Sequence, residues 1–377
     1  MTSWRDSQRR GQTSTIRSHL TVVAGLLGLA LVGAVLSTLF RPVADPPPVS
    51  AAPPVEARSP VEPAPVPTYD PELVARVERI LERGRVSLGH VIVMDPRDGR
   101  LLAAVSTDTE RFPPDRTYPA ASLIKVVTAA AALHQDPGVA RRSCRYTGSP
   151  WRLTRSRIDP PRRGNESSFR KALAISNNQC FAQLAVHTVG ADVLIDAIGR
   201  FGFLESPAPG FPAGRVDAGT DRYALGRLGS GLSGTWITPL HAVQMAAVLH
   251  DGMLRQPVTL AGAVPSHPPR RVLTAELAGE LREMLVDTTR RGTARSAFRD
   301  RRGRPLLGPV RVAGKTGSLS GRDPDGRYEW FAGIAPADAP EIAVAVVLVQ
   351  GDLWWRNASQ IAAATLKAHF CPDRTCR

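Results

Sequence analysis

Lysine is nearly absent from this chain of 377 residues. Of 48 basic side chains only Lys125, Lys171, Lys315 and Lys367 are amines, and arginine supplies the rest. A guanidinium stays charged at any working pH, so chemistry that needs an amine able to shed its proton has four positions to choose from. Cysteine is equally sparse. Cys144, Cys180, Cys371 and Cys376 show no zinc-ligand spacing, which leaves structural stapling as their use. Three pairings are open, with Cys371 to Cys376 across Pro372 the favoured one. No nucleic-acid recognition module accompanies the net charge of +14, and the arginines are scattered, so the charge reads as a solvated surface. No metal or organic cofactor is called for.

Long apolar runs are missing as well, with one exception. Leu20 to Phe40 carries no charge and, at about 1.5 Å per residue, is long enough to cross a hydrocarbon core of about 30 Å. Thr38-Leu39-Phe40 makes a poor cleavage site, so the run is expected to stay as a transmembrane anchor. Arg5, Arg9, Arg10 and Arg17 precede it and only Arg41 follows closely, which places residues 1–19 in the cytoplasm and the rest outside. Residues 41–69 are dominated by Pro, Ala and Val, a composition suited to an extended spacer. The folded domain is expected over 70–377.

Within that domain the periodicity predicts an opening helix over Pro71 to Leu81. A hairpin follows, His90 to Met94 and Leu101 to Val105 about the turn Asp95-Pro96-Arg97-Asp98-Gly99. Further strands are predicted over Val310 to Ser318, Trp330 to Ile334 and Ile342 to Val349, and a last helix over Ala358 to His369. The middle has helical patterns at Val126 to Leu133, Phe169 to Val186, Val193 to Phe201, Pro239 to Leu249 and Ala275 to Thr288. Together they imply an α/β fold: one antiparallel sheet built from both ends of the chain, flanked by N- and C-terminal helices, with an inserted all-helical lobe.

Three short motifs carry chemistry. Ser122-Leu123-Ile124-Lys125 opens an Ala-rich helix, where a spacing of three puts hydroxyl and amine on one face. A serine becomes a nucleophile when a neighbour takes its proton, and a lysine does so once burial and a helix N-terminus disfavour its ammonium form. Ser176-Asn177-Asn178 offers a second hydroxyl and, at Asn178, an amide that both donates and accepts; a capping pair at a helix start is the plain alternative. Lys315-Thr316-Gly317-Ser318 lies on a predicted strand, where Lys315 and Thr316 suit a terminal carboxylate and Gly317 and Ser318 present backbone to an extended peptide. Gly229, Gly231 and Gly234 match a dinucleotide fingerprint, but the strand it requires does not precede them. Thr238-Pro239 then opens a helix with a good cap.

In this order the three motifs resemble the penicillin-binding transpeptidase and serine β-lactamase superfamily, and blocks from Val91 to Gly351 extend the resemblance over most of 70–370. It implies peptidoglycan stem peptides as substrates and β-lactams as acylating mimics, through an acyl-enzyme on Ser122. Lys125 would be the general base, Ser176 a proton relay, Asn178 a substrate and lysine ligand, and Lys315 with Thr316 the carboxylate site. The backbone N–H groups of Ser122 and Ser318 would form the oxyanion hole. A D,D-transpeptidase is the expectation, with a carboxypeptidase or endopeptidase as the alternative. A β-lactamase is disfavoured because no Asn lies between Asn178 and Asn357 and no water-activating glutamate is recognisable. A sensor is disfavoured because residues 1–19 hold no signalling domain.

Overall fold

The computed structural model describes residues 67–351, 355–372 and 376. The expected cytoplasmic tail, anchor and nearly all of the linker lie outside the described residues. Among those described, no single helix is long and apolar enough to cross a membrane.

Helix α1 (Pro71–Arg83) starts where Asp70 accepts from the backbone N–H groups of Glu72 and Leu73 and proline fills the first turn; it buries Leu73, Val77 and Leu81. The sheet comprises β1 (Gly89–Met94), β2 (Leu101–Ser106), β3 (Ala313–Gly321), β4 (Gly326–Ala335) and β5 (Ile342–Gln350), all antiparallel, in the order β3-β4-β5-β1-β2. β1 pairs with β5 from Gly89 opposite Leu348 to Met94 opposite Ala343, so the two chain ends share the sheet centre. Central strands are apolar on both faces because both are covered. Val91, Val93, Val344 and Val346 face α1 and the final helix α9 (Ala358–Phe370), whereas Ile92, Ala345 and Val347 face the lobe. β3, by contrast, is an edge strand.

The lobe is built around α2 (Ile124–Gln135), whose residues from Ile124 to Leu133 are all buried. Small side chains serve there because neighbours approach from every side. The lobe also holds α3 (Phe169–Ala174), α4 (Asn178–Leu184), α5 (Ala191–Arg200), α6 (Arg222–Ser230), α7 (Pro239–Val248) and α8 (Ala275–Arg290); of these α4, α5, α6 and α8 pack on α2, α3 packs on α8, and α7 lies against β1, β4 and β5. Two expectations need correction. The lobe is not all-helical: Tyr118–Pro119, Thr235–Ile237 and Arg215–Val216 form one small sheet, Ser143–Tyr146 pairs with Asn165–Ser168, and Met253–Leu254 pairs with Arg270–Arg271. These strands are too short and too polar to show a two-residue period. The helix predicted from Phe169 to Val186 is two helices, because Ser176 takes φ +57° and Asn177 caps the second, accepting from the N–H of Cys180.

The cysteines pair as Cys144 with Cys180 and Cys371 with Cys376, at Cα separations of 5.6 and 4.4 Å. The favoured tail pairing is therefore present. The other bridge ties the Ser143–Tyr146 strand to the start of α4.

Candidate active site

Ser122 sits in a 3₁₀ turn, Ala121–Leu123, that feeds directly into α2. Ala121 holds φ +49°, a conformation an L residue adopts only when its surroundings enforce it. Gly231, at φ +70°, passes so close that a Cβ there would overlap the Ala121 carbonyl. The glycine-rich block is thus a support for the serine turn, not a nucleotide loop. Two α2 side chains one turn apart hold it in place: Lys125 Nζ donates to the Ser230 carbonyl at 2.5 Å and Thr128 Oγ1 to the Gly229 carbonyl at 2.9 Å.

Lys125 is fully buried, with Nζ 2.8 Å from Ser122 Oγ and 2.7 Å from Asn178 Oδ1. Asn178 is oriented by its Nδ2, which donates to the Trp151 carbonyl at 2.7 Å, so its oxygen must face the lysine. The Ser230 carbonyl and the Asn178 oxygen are both pure acceptors. A neutral amine has two N–H bonds and one lone pair; the acceptors take the two hydrogens and the lone pair is left for the Ser122 hydroxyl. Burial, and then the charge of Lys315, hold the Lys125 amine well below its ordinary range. Burial thus disfavours the ammonium, and in the neutral form the amine is placed to accept a proton from Ser122.

From the opposite wall β3 brings Lys315, also fully buried, whose Nζ donates to Ser176 Oγ at 2.9 Å and to the Thr316 carbonyl at 2.8 Å. Burial pushes its amine down to about 7. Thr316 Oγ1 lies 2.6 Å from Thr293 Oγ1. Gly317 packs against the serine turn, where a Cβ would stand 3.3 Å from Ser122 N. Its missing side chain thus lets strand and turn meet, as well as leaving the edge open. A cavity of about 550 Å³ is lined by Ser122, Ser176, Asn178, Thr316, Gly317 and Ser318. All eight residues singled out in the sequence converge there, six on its surface and the two lysines beneath it.

Residues 89–370 match the family described as the penicillin binding protein transpeptidase domain. The chain belongs to that family. It is 28% identical over 312 residues to peptidoglycan D,D-transpeptidase PbpA of Mycolicibacterium smegmatis, a match covering 76% of this chain and 58% of the relative. This penicillin-binding domain thus spans less than two thirds of that relative's length. Among solved structures it resembles the penicillin G acyl-enzyme complex of penicillin-binding protein A from Mycobacterium tuberculosis, with a TM-score of 0.62 and 25% identity over 80% of both chains. The TP domain of Burkholderia pseudomallei penicillin-binding protein 3 shares the fold at a TM-score of 0.67 and 19% identity, over 84% of this chain and 99% of that one.

Sequence reading of this transpeptidase domain missed several cleft residues. Ser230 contributes only its carbonyl, which no side-chain pattern announces. Trp151 is 59% exposed, donates from Nε1 to the Ile175 carbonyl and lines the cleft, while Thr293 and Arg327 come from segments without a motif. Glu329 is the one carboxylate lining this cavity; burial raises it, and its Oε1 lies 3.4 Å from Arg327 Nε. It stands on β4, opposite Ser318, one strand further from the serine.

Proposed function

We propose that this chain is a membrane-anchored peptidoglycan D,D-transpeptidase acting through a serine acyl-enzyme. The observation that carries the reading is the buried Lys125 amine 2.8 Å from Ser122 Oγ, whose lone pair, in the neutral form, faces that hydroxyl. Lys125 takes the hydroxyl proton as Ser122 Oγ attacks the carbonyl joining two D-alanines at the end of a stem peptide. The tetrahedral oxyanion is held by the N–H groups of Ser122 and Ser318, each such donor being worth about 3 kcal/mol to the transition state. Ser176, oriented by its bond from Lys315, passes the proton taken up by Lys125 on to the departing D-alanine nitrogen, so the C–N bond breaks to leave the ester and Lys125 is neutral again. An acceptor amine then attacks that ester, gives up a proton to the same base, and forms the cross-link while Ser122 regains its hydrogen. Lys315 and Thr316 hold the terminal carboxylate, and Asn178 holds the stem through its free N–H.

A β-lactam enters as a carboxylate-bearing mimic of the same dipeptide and acylates Ser122; the penicillin G complex of the mycobacterial relative supports this. Residues 20–40 form the anchor, 41–69 the spacer, and 70–377 act outside the cytoplasmic membrane. Chromatography of products from a synthetic pentapeptide, with and without an amine acceptor, tests the reaction. Cross-linked dimer is expected; release of D-alanine alone would make the domain a carboxypeptidase. Intact-mass analysis should place one penicillin on wild-type protein and none on a folded Ser122→Ala variant.

A further inference from the structure

β3 does not end at the catalytic cleft. Thr316, Gly317 and Ser318 border the serine, and the next residues, Leu319 to Gly321, border a second cavity of about 720 Å³. Leu232 lines both, and Ala121, the neighbour of Ser122, lines the second, so the two form one groove along the open edge of β3. The second cavity is basic. Arg116, Arg215 and Arg322 line it against a single carboxylate, Asp323. Arg311, by comparison, is held between Glu283 and Asp338. Among the described residues none of these three guanidinium groups is in an ion pair. The Arg215 guanidinium carbon lies over Trp236, 3.9 Å from the ring centroid, a contact that steadies the group without using its N–H donors.

We infer that this arginine-lined cavity is a subsite for a carboxylate carried by the acyl-donor peptide upstream of the scissile bond. The inference rests on the catalytic reading above. With its terminal carboxylate at Thr316 and its reacting carbonyl beside Ser318, an extended peptide paired to β3 runs antiparallel to it. Its upstream residues then advance at about 3.3 Å each past Leu319 toward Gly321. Two or three residues bring a side chain into the basic cavity. The planar forks of arginine suit a carboxylate there and give nothing to its carboxamide, which is a worse acceptor and brings N–H groups toward cations.

The test compares two synthetic donors ending in D-Ala-D-Ala that differ only in a free carboxylate or a carboxamide on the residue two or three places upstream. Release of D-alanine is followed with the full chain in detergent. For three exposed contacts the carboxylate donor should have a kcat/KM about tenfold higher. That ratio should fall to near one in the triple variant Arg116→Gln, Arg215→Gln, Arg322→Gln. Should the triple variant not fold, the wild-type ratio at high salt serves instead, because exposed charge pairs are screened and the preference should shrink with added sodium chloride. A ratio near one in wild-type protein, or one that neither the variant nor salt reduces, would overturn the subsite. Penicillin G labelling of Ser122 in the same wild-type preparation separates the two readings: with labelling intact, a flat ratio counts against the subsite alone, and without it both readings fall.

Discussion

Lys125 and Lys315 approach one cleft from opposite walls, one on a helix and one on a strand, and both amines are wholly buried. Their neighbours divide them. Lys125 meets two carbonyl-type oxygens that can only accept, so in its neutral form the lone pair faces the Ser122 hydroxyl. Lys315 meets a hydroxyl and a backbone carbonyl on the margin of a cavity open to a ligand, where an ammonium can be matched by an incoming anion. Residue type alone would assign the two lysines one role; the count of fixed acceptors around each assigns two.

The comparison is broken most directly by arginine. Lys125→Arg puts a permanent cation where the neutral amine stood and removes the base, so acylation by penicillin should fall by about 10³-fold or more, as read by stopped-flow or mass-resolved labelling. Lys315→Arg keeps a cation for the carboxylate and should cost less, about ten- to a hundredfold in the same assay. Equal losses in the two variants would mean that the division of labour is wrong.

Acidity sharpens the contrast. The Lys125 amine, depressed by burial, works when neutral, so acylation should be lost as pH falls through its lowered value. Lys315, pushed down to about 7 by burial, works when charged in the proposed mechanism, so attraction for a carboxylate should weaken as pH rises through that value. Because kcat/KM reports the free enzyme, penicillin G should show an alkaline limb near about 7 that its methyl ester, lacking the carboxylate, does not. An identical limb for the ester would place the titration elsewhere. The smallest effect is expected at Glu329. Its partner is Arg327 and it lies a strand behind Ser318, so Glu329→Gln should change the lifetime of the penicilloyl ester by less than about threefold, with the ester surviving for many minutes in both proteins. Turnover at tens per second, a usual enzymatic range, would make the wild-type protein a β-lactamase.

Much of this was legible before any coordinates. Strands β1, β2 and β5 are apolar runs bounded by turn residues, and each lies within one residue of its predicted limits. The chemistry was legible because lysine is rare and two of its four copies sit in motifs. What escaped was contributed by backbone or by closure. The Ser230 carbonyl and the Trp151 carbonyl have no signature, and the apolar helical period runs through the break at Ser176, although the capping alternative for that motif did point to Asn177. Strand β3 begins three residues later than predicted and runs to Gly321, since its tip is set by the hairpin with β4 and not by burial of its own side chains. Those extra residues are the ones bordering the basic cavity.

The pairing of β1 with β5 also has a temporal consequence. Gly89 finds Leu348 only after more than two hundred intervening residues have been made, and contacts of such high sequence separation form late. The serine turn and its lysine belong to the lobe, but Lys315 and the strand edge arrive with the last portion of the chain. In the mechanism proposed above, a chain still emerging would hold Ser122 and Lys125 without Lys315 and the strand edge, so penicillin labelling should appear only once the final strands have closed the sheet.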